Sequence, residues 1–159
     1  MAFQRIDGSA NIDGVVITPK SKIFDDRGGI FHMLRADEPV FQRFGEIYFS
    51  QVYAGVVKAF HFHSSMTLNY YLVSGSVRLV LLDDREGSPT RGRYQELFLH
   101  PEAPKLVTIP PRVWNGFKGL GTEPSLIANC ATEPHRKDEI SYRRFDDPAF
   151  GYDWSQRNG

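Results

Sequence analysis

The stretch Ser76-Val-Arg-Leu-Val-Leu-Leu-Asp-Asp84, which follows Gly75, predicts the fold of this chain best. In an extended strand alternate side chains share a face, so the odd-numbered positions 77–83 point one way and the even-numbered positions 78–84 point the other. Both sets are mostly apolar. The sequence therefore predicts a strand that is covered on both sides.

Similar apolar runs of strand length continue on either side of this stretch. They are rich in Val, Ile, Tyr and Phe, and they read GVVIT, SKIF, GIFHML, IYFSQVYAGVVKAFHFH, LNYYLV, YQELFL, KLVTI and SLIANCAT. Turn-forming segments such as DDRGG, REGSPTRG and PPRVWNG separate them, which is typical of many short antiparallel strands in a sandwich or barrel. Only Glu38–Phe44 could be helical. No linker or repeat divides residues 1–159, so we expect one all-β domain.

Composition excludes several classes of partner. The chain has 19 basic and 19 acidic side chains without a long run of like charge, so nucleic acid is not an expected partner. No segment approaches the roughly 20 apolar residues that span a bilayer, and the first residues lack the apolar centre of a secretory signal, so no membrane association is expected. The single cysteine, Cys130, cannot form an internal disulfide, which favours a cytoplasmic protein.

The segment Gly55-Val-Val-Lys-Ala-Phe-His-Phe-His63 carries the most chemistry. Strand alternation is expected to place Ala59, His61 and His63 on one face, so two imidazoles lie side by side. Three interpretations are open: hydrogen-bonded structural histidines, a metal site, and metal-free acid–base chemistry, for which an ordinary imidazole pKa near ~6.5 is suited.

The metal interpretation lacks further ligands in the sequence. The spacing G-x5-H-x-H opens the metal motif of many cupins, but the acidic ligand would fall near Thr67 or Leu68 and the later histidine on Asn115. We therefore expect no metal and no other cofactor.

Several motifs together resemble the dTDP-4-dehydrorhamnose 3,5-epimerase family. They follow in the correct order along nearly the whole chain: Asp26-Arg-Gly28, Lys58-Ala-Phe-His61, LLDDREGSPTRG (81–92), IPPRVWNGF (109–117) and RFDDPAFGYDW (144–154). The resemblance implies a double-stranded β-helix, the cupin jelly-roll barrel, that forms a homodimer. It also implies an isomerase that epimerises a nucleotide-diphosphate 4-keto-6-deoxyhexose in deoxysugar or polysaccharide biosynthesis.

The resemblance also implies roles for individual residues. His61 matches the family's base, which removes the proton beside the ketone, and Asp147 matches the aspartate that orients it. Arg27 matches a diphosphate contact, and Lys58 matches a basic residue close to the sugar. His63 is expected to polarise the sugar oxygen. Further expected substrate contacts are Trp114, Asn115, Tyr71 and Arg85, although Arg85 could equally form a buried pair with Asp83.

Departures from the family pattern keep further functions open. Leu68 stands where the family has a lysine, and Ala128 stands where it has a tyrosine that returns a proton from the opposite face. A phenol could come instead from Tyr70, Tyr71 or Tyr142. The paired histidines are similar to those of the sugar-nucleotide 3,4-ketoisomerases, which need no such acid. The departures at Leu68 and Ala128 leave room for a non-catalytic sugar-nucleotide binding cupin. A metal-dependent cupin enzyme with His61, His63 and a third, unidentified ligand is a further alternative.

Overall fold

The structure is a computed structural model, and it describes residues 2–155. This part of the chain forms short strands joined by turns. In chain order the strands are β1 (Gln4–Arg5), β2 (Val16–Pro19), β3 (Lys22–Asp25), β4 (Gly28–Phe31), β5 (Glu46–Val52), β6 (Val57–His63), β7 (Leu68–Ser74), β8 (Val77–Asp83), β9 (Arg93–Leu99), β10 (Lys105–Ile109), β11 (Trp114–Gly119), β12 (Ser125–Ala131) and β13 (Ile140–Tyr142).

Two sheets face each other across the core. One has the strand order β1-β9-β8-β11-β6-β13 and the other the order β2-β10-β7-β12-β5, while β3 and β4 form a separate hairpin. All neighbouring strands of the two sheets are antiparallel except β1 and β9. The chain alternates between the sheets from β5 to β8, which confirms the expected all-β barrel.

Strand β8 is buried on both faces, as its sequence predicts. Val77, Leu79 and Leu81 join the core between the sheets, and Val80 and Leu82 join a second apolar cluster outside the six-stranded sheet. The C-terminal segment supplies Phe150 and Trp154 to this outer cluster. The guanidinium of Arg78 fixes the segment by donating to the Trp154 carbonyl at 2.5 Å. The six-stranded sheet is therefore packed on both sides.

The expected helix at Glu38–Phe44 is wrong. This segment makes turns, one of them closed by a 3.0 Å bond from the Phe41 N–H to the Glu38 carbonyl. Pro39 and Gly45 bracket a stretch too short for a stable helix. Within residues 2–155 there is no helix long and apolar enough to cross a membrane.

Candidate active site

A cavity of about 610 Å³ opens between the two sheets. This size lies within the usual range for small-molecule sites. Its lining carries imidazoles, phenols, one carboxylate and one amine among apolar side chains. The lining residues are Glu46, Tyr48, Ser50, Lys58, Ala59, Phe60, His61, His63, Tyr70, Phe117, His135, Ile140 and Tyr142.

A β-bulge in β6 determines which of its side chains reach the cavity. His61 pairs with Asn115, but Lys58 pairs with Phe117, so β6 has one more residue than β11 over this interval. The extra residue brings Lys58 to the same side as His61, which regular alternation forbids. A Cβ on Gly116 would lie 2.2 Å from the Cβ of Ala59, so the close approach at the bulge requires glycine.

His61 is held by a chain of hydrogen bonds behind it. Asn115 donates from Nδ2 to the His61 carbonyl at 3.1 Å, so its Oδ1 accepts the Tyr70 hydroxyl proton at 3.0 Å. The Tyr70 oxygen is then an acceptor for His61 Nε2 at 3.3 Å. This order favours the tautomer of His61 with its proton on Nε2, which leaves Nδ1 as the basic nitrogen.

The surroundings of His61 keep it uncharged. Burial, with smaller contributions from positive charge at His63 and Lys58, lowers the pKa of His61 to about 4. At neutral pH the ring is therefore an unprotonated base. Negative charge arriving with a ligand would favour its protonated form.

His63 has the carboxylate partner that His61 lacks. Its Nδ1 lies 2.5 Å from Glu139 Oε2, and both side chains are almost fully buried. The other carboxylate oxygen accepts the backbone N–H groups of Ser65 at 2.9 Å and Met66 at 2.8 Å. Burial raises the pKa of Glu139, but the bonds from His63, Ser65 and Met66 outweigh it, so the pKa is lowered.

The free nitrogen of His63 belongs to the cavity. Its Nε2 is buried and has no hydrogen-bond partner among the described residues, although His63 lines the cavity. An orphaned buried polar atom is costly unless a ligand satisfies it. Residues 2–155 contain no cluster of three or more His, Cys, Asp or Glu side chains that could hold a metal ion.

The opposite wall is formed by β5, which sequence reasoning missed. Glu46, Tyr48 and Ser50 alternate along this strand and line the cavity. Tyr48 OH accepts a 3.0 Å bond from Asn129 Nδ2, and Glu46 Oε1 is buried without a described partner. The alternation of these three with Ile47 and Phe49 in the sequence was the signal that could have revealed the wall.

Asp147 does not reach His61, contrary to the sequence expectation. It pairs with Arg143 at 3.0 Å and accepts the Ala149 N–H at 2.8 Å. The Arg143 guanidinium stacks on Trp114 and Phe150, which belong to the cluster outside the six-stranded sheet. The aspartate thus lies on the outer side of the sheet whose inner side carries the imidazole.

Strand alternation also corrects two expected substrate contacts. Trp114 neighbours Asn115, and because Asn115 points inward, Trp114 joins the outer cluster and contacts Phe62 at 4.5 Å between ring centroids. Tyr71 likewise points outward, because its neighbour Tyr70 is the one that faces the core and cavity.

Asn115 is fully buried and supports Tyr70, but it does not line the cavity. Its expected substrate contact is therefore replaced by a supporting role. Of the two positions that depart from the family pattern, Leu68 lies in the inner core. Ala128 pairs in register with Phe49, which is 59% exposed, so it points away from the cavity.

Arg85 and Arg27 also lie outside the cavity. Arg85 forms the buried pair with Asp83, with both N···O distances at 2.9 Å. Burial would raise the pKa of Asp83, but hydrogen bonds from Arg85, Ser88 and Thr90 lower it to about 2. Arg27 sits on the β3–β4 hairpin, paired with Asp25 and 85% exposed.

The fold and site define a cupin-type barrel enzyme that holds a small molecule against a pair of imidazoles. The sequence profile of the dTDP-4-dehydrorhamnose 3,5-epimerase family matches residues 9–158. The chain belongs to this family, and it is therefore an isomerase of the sugar-nucleotide epimerase type.

Individual relatives agree with this assignment. The chain is 34% identical to a spore coat polysaccharide biosynthesis protein of Bacillus subtilis, over 91% of this chain and 97% of the relative. It is 31% identical to a probable low-salt glycan biosynthesis epimerase of Haloferax volcanii, over 91% and 96%. The crystal structure of a dTDP sugar isomerase from Desulfovibrio desulfuricans superimposes with a TM-score of 0.88 at 40% identity, over 92% and 94% of the two chains.

Proposed function

We propose that this chain inverts a carbon beside the ketone of a nucleotide-diphosphate 4-keto-6-deoxyhexose, with His61 as the base. The observation that carries the proposal is an uncharged imidazole that faces a cavity large enough for a sugar ring, next to a second imidazole backed by a carboxylate. The family assignment and the similarity to a dTDP sugar isomerase support the substrate class.

The carbonyl group acidifies the neighbouring C–H, and the neutral His61 takes that proton. The electron pair of the broken C–H bond becomes an enolate. His63 then offers its unpartnered Nε2 to the enolate oxygen, and the buried Glu139 carboxylate stabilises positive charge on the His63 ring. The enolate charge in turn favours the protonated form of His61.

Lys58 is placed to hold the anionic part of the substrate. Its amine donates to Ser50 Oγ at 2.7 Å and to the Gln51 carbonyl at 3.2 Å, beside the cavity. Neither partner neutralises its charge. A diphosphate that replaced these bonds would gain a charged contact.

The surface beside Arg27 supports a homodimer. The β3–β4 hairpin that carries Arg27 exposes four large apolar side chains, namely Ile23, Phe24, Ile30 and Phe31. The outer face of the five-stranded sheet also exposes apolar groups, including Ile47 and Phe49. Such surfaces favour association with a second copy. Light scattering of the purified protein should give twice the chain mass, and a monomer would contradict the dimer.

A cytoplasmic location stays a prediction, supported by the single free Cys130.

Product analysis tests the reaction directly. We expect dTDP-4-keto-6-deoxyglucose, followed by proton NMR, to yield a sugar with inverted configuration at C3, C5 or both. An unchanged sugar that nevertheless binds would contradict catalysis and favour a binding protein.

The second candidate function is that of a 3,4-ketoisomerase, which the same NMR experiment would reveal as a 3-keto product. It is favoured by one observation, that His61 and His63 lie on one wall with ring centroids 5.7 Å apart. Two imidazoles on one face of the sugar ring suit a proton transfer between adjacent carbons, which needs no acid on the other face.

A further inference from the structure

Inversion of a carbon requires its new proton to arrive on the face opposite the one that lost the old proton. His61 lies on β6 of the six-stranded sheet, so a donor on the five-stranded sheet across the cavity would reach the opposite face of the sugar. We propose that Tyr48 is this donor, an assignment that rests on the proposed epimerisation. Tyr48 would supply the acid that this chain lacks at position 128, where Ala128 replaces the family's tyrosine.

Tyr48 is the phenol on the correct wall with an available proton. The backbone N–H of Asn69 donates to Asn129 Oδ1 at 2.9 Å, which fixes the orientation of the buried Asn129 amide. The Asn129 Nδ2 group must therefore donate to Tyr48 OH, at 3.0 Å. Because the phenol oxygen accepts this bond, its own hydrogen stays free for a ligand in the cavity.

The other two phenols of the cavity do not meet these requirements. Tyr70 gives its proton to Asn115 Oδ1 and is fully committed to supporting His61. Tyr142 lies on β13, in the same sheet as His61, and is 70% exposed. A proton from Tyr142 would arrive from the same side of the cavity as His61, so it could not invert the carbon.

The environment keeps the Tyr48 proton in place until the enolate forms. Burial raises the pKa of Tyr48, which the Asn129 bond only partly offsets, and the neighbouring Glu46 raises it further. The phenol is therefore protonated at neutral pH.

The proton balance of the step closes. His61 gains the proton from carbon, the enolate electron pair forms the new C–H bond with the Tyr48 proton, and a phenolate remains. Exchange with water through the open cavity returns a proton to Tyr48 and removes one from His61.

Replacing Tyr48 by Phe should affect inversion of the sugar but not exchange of the hydrogen beside the ketone. A residue with a purely structural role would change both rates together. In heavy water with dTDP-4-keto-6-deoxyglucose, the Tyr48→Phe variant should still exchange the hydrogen beside the ketone, because His61 can remove and return it on one face. Formation of the inverted sugar should fall about 10²-fold. Tyr53→Phe is the matched control, since Tyr53 is 65% exposed and lies outside the cavity, and it should leave both rates unchanged.

Either unchanged inversion or an equal loss of exchange and inversion in Tyr48→Phe would overturn the assignment. Asn129→Asp provides a second variant in case Tyr48→Phe does not fold. Its carboxylate still accepts the Asn69 N–H but offers Tyr48 only an acceptor, which draws the phenol proton away from the cavity. Inversion should then fall about tenfold relative to exchange, and an unchanged ratio would overturn the assignment. Absence of exchange in the unaltered protein would instead reject the proposed epimerisation itself.

Discussion

The two faces of β6 perform different tasks although their residues alternate along one strand. The inner face presents His61 and His63 to the cavity. The outer face packs Phe60 against Phe150, with ring centroids 5.1 Å apart, and Phe62 against Trp114. The comparison shows that chemistry and stability are separated by the pleat of a strand, so neighbouring substitutions should have opposite consequences.

The largest effect is expected on the inner face. His61→Ala should lower kcat/KM for the keto-sugar by about 10²–10⁴-fold, because it removes the base. The free energy of unfolding should change by only about 1 kcal/mol, since one hydrogen bond to Tyr70 is lost. Steady-state kinetics and urea denaturation measure the two quantities, and a loss of activity explained by unfolding would contradict a catalytic role of the inner face.

The outer face should show the reverse pattern. Phe150→Ala removes a buried ring that contacts Phe3, Phe60 and Trp114, so the free energy of unfolding should fall by about 3–5 kcal/mol. The kcat/KM of the folded protein should stay within about threefold. Phe98→Ala is the control, because Phe98 is 49% exposed and its loss should cost about 0.5 kcal/mol. Equal destabilisation by both variants would contradict the packing described for the C-terminal segment.

The two carboxylates beside this strand, Glu139 and Asp147, should also differ in their effect on activity. Glu139→Gln should lower kcat about 10²-fold, because it removes the charge that orients His63 and stabilises its positive form. Asp147→Asn should leave kcat nearly unchanged, since its partner is Arg143 on the outer side. Single-turnover kinetics would distinguish the two variants. A larger loss of rate in Asp147→Asn than in Glu139→Gln would show that the aspartate acts in the active site.

The smallest effect is expected in the pH profile of kcat/KM, whose decrease on the acid side should occur at lower pH than for an ordinary histidine. The kcat/KM of an enzyme reports the free-enzyme pKa of its base. Because burial lowers the pKa of His61 to about 4, kcat/KM should be insensitive to His61 protonation near pH 6.5 and fall only as pH decreases towards 4. Circular dichroism at each pH excludes acid unfolding as the cause. A limb near pH 6.5 would contradict a buried, uncharged His61.

Local patterns in the sequence predicted the all-β fold and the imidazole pair, whereas the cupin barrel was implied by the family resemblance. The alternation after Gly75 predicted a doubly covered β8, and His-x-His placed His61 and His63 on one face. Local patterns could not predict the partner of His63. Glu139 is 76 residues away in the sequence and is brought close only by the pairing of β13 with β6.

Expected substrate contacts failed where neighbouring strand residues were not assigned to opposite faces of the sheet. Trp114 and Asn115 are adjacent strand residues, so they could not both face a ligand, yet both were expected to contact it. The bulge in β6 had the opposite effect, because it brought Lys58 to the cavity against regular alternation. The local sequence of β6 does not distinguish a bulged strand from a regular one. The bulge is evident only from the pairing of β6 with β11 around Gly116.

Deuterium incorporation tests most directly whether an imidazole on the inner face of β6 removes the proton beside a ketone. The unaltered protein and His61→Ala are incubated in heavy water with dTDP-4-keto-6-deoxyglucose, and deuterium at C3 and C5 is followed by NMR. We expect incorporation by the unaltered protein and none above background by His61→Ala, whose affinity for dTDP should stay within about tenfold. Incorporation at an undiminished rate in His61→Ala would contradict the account.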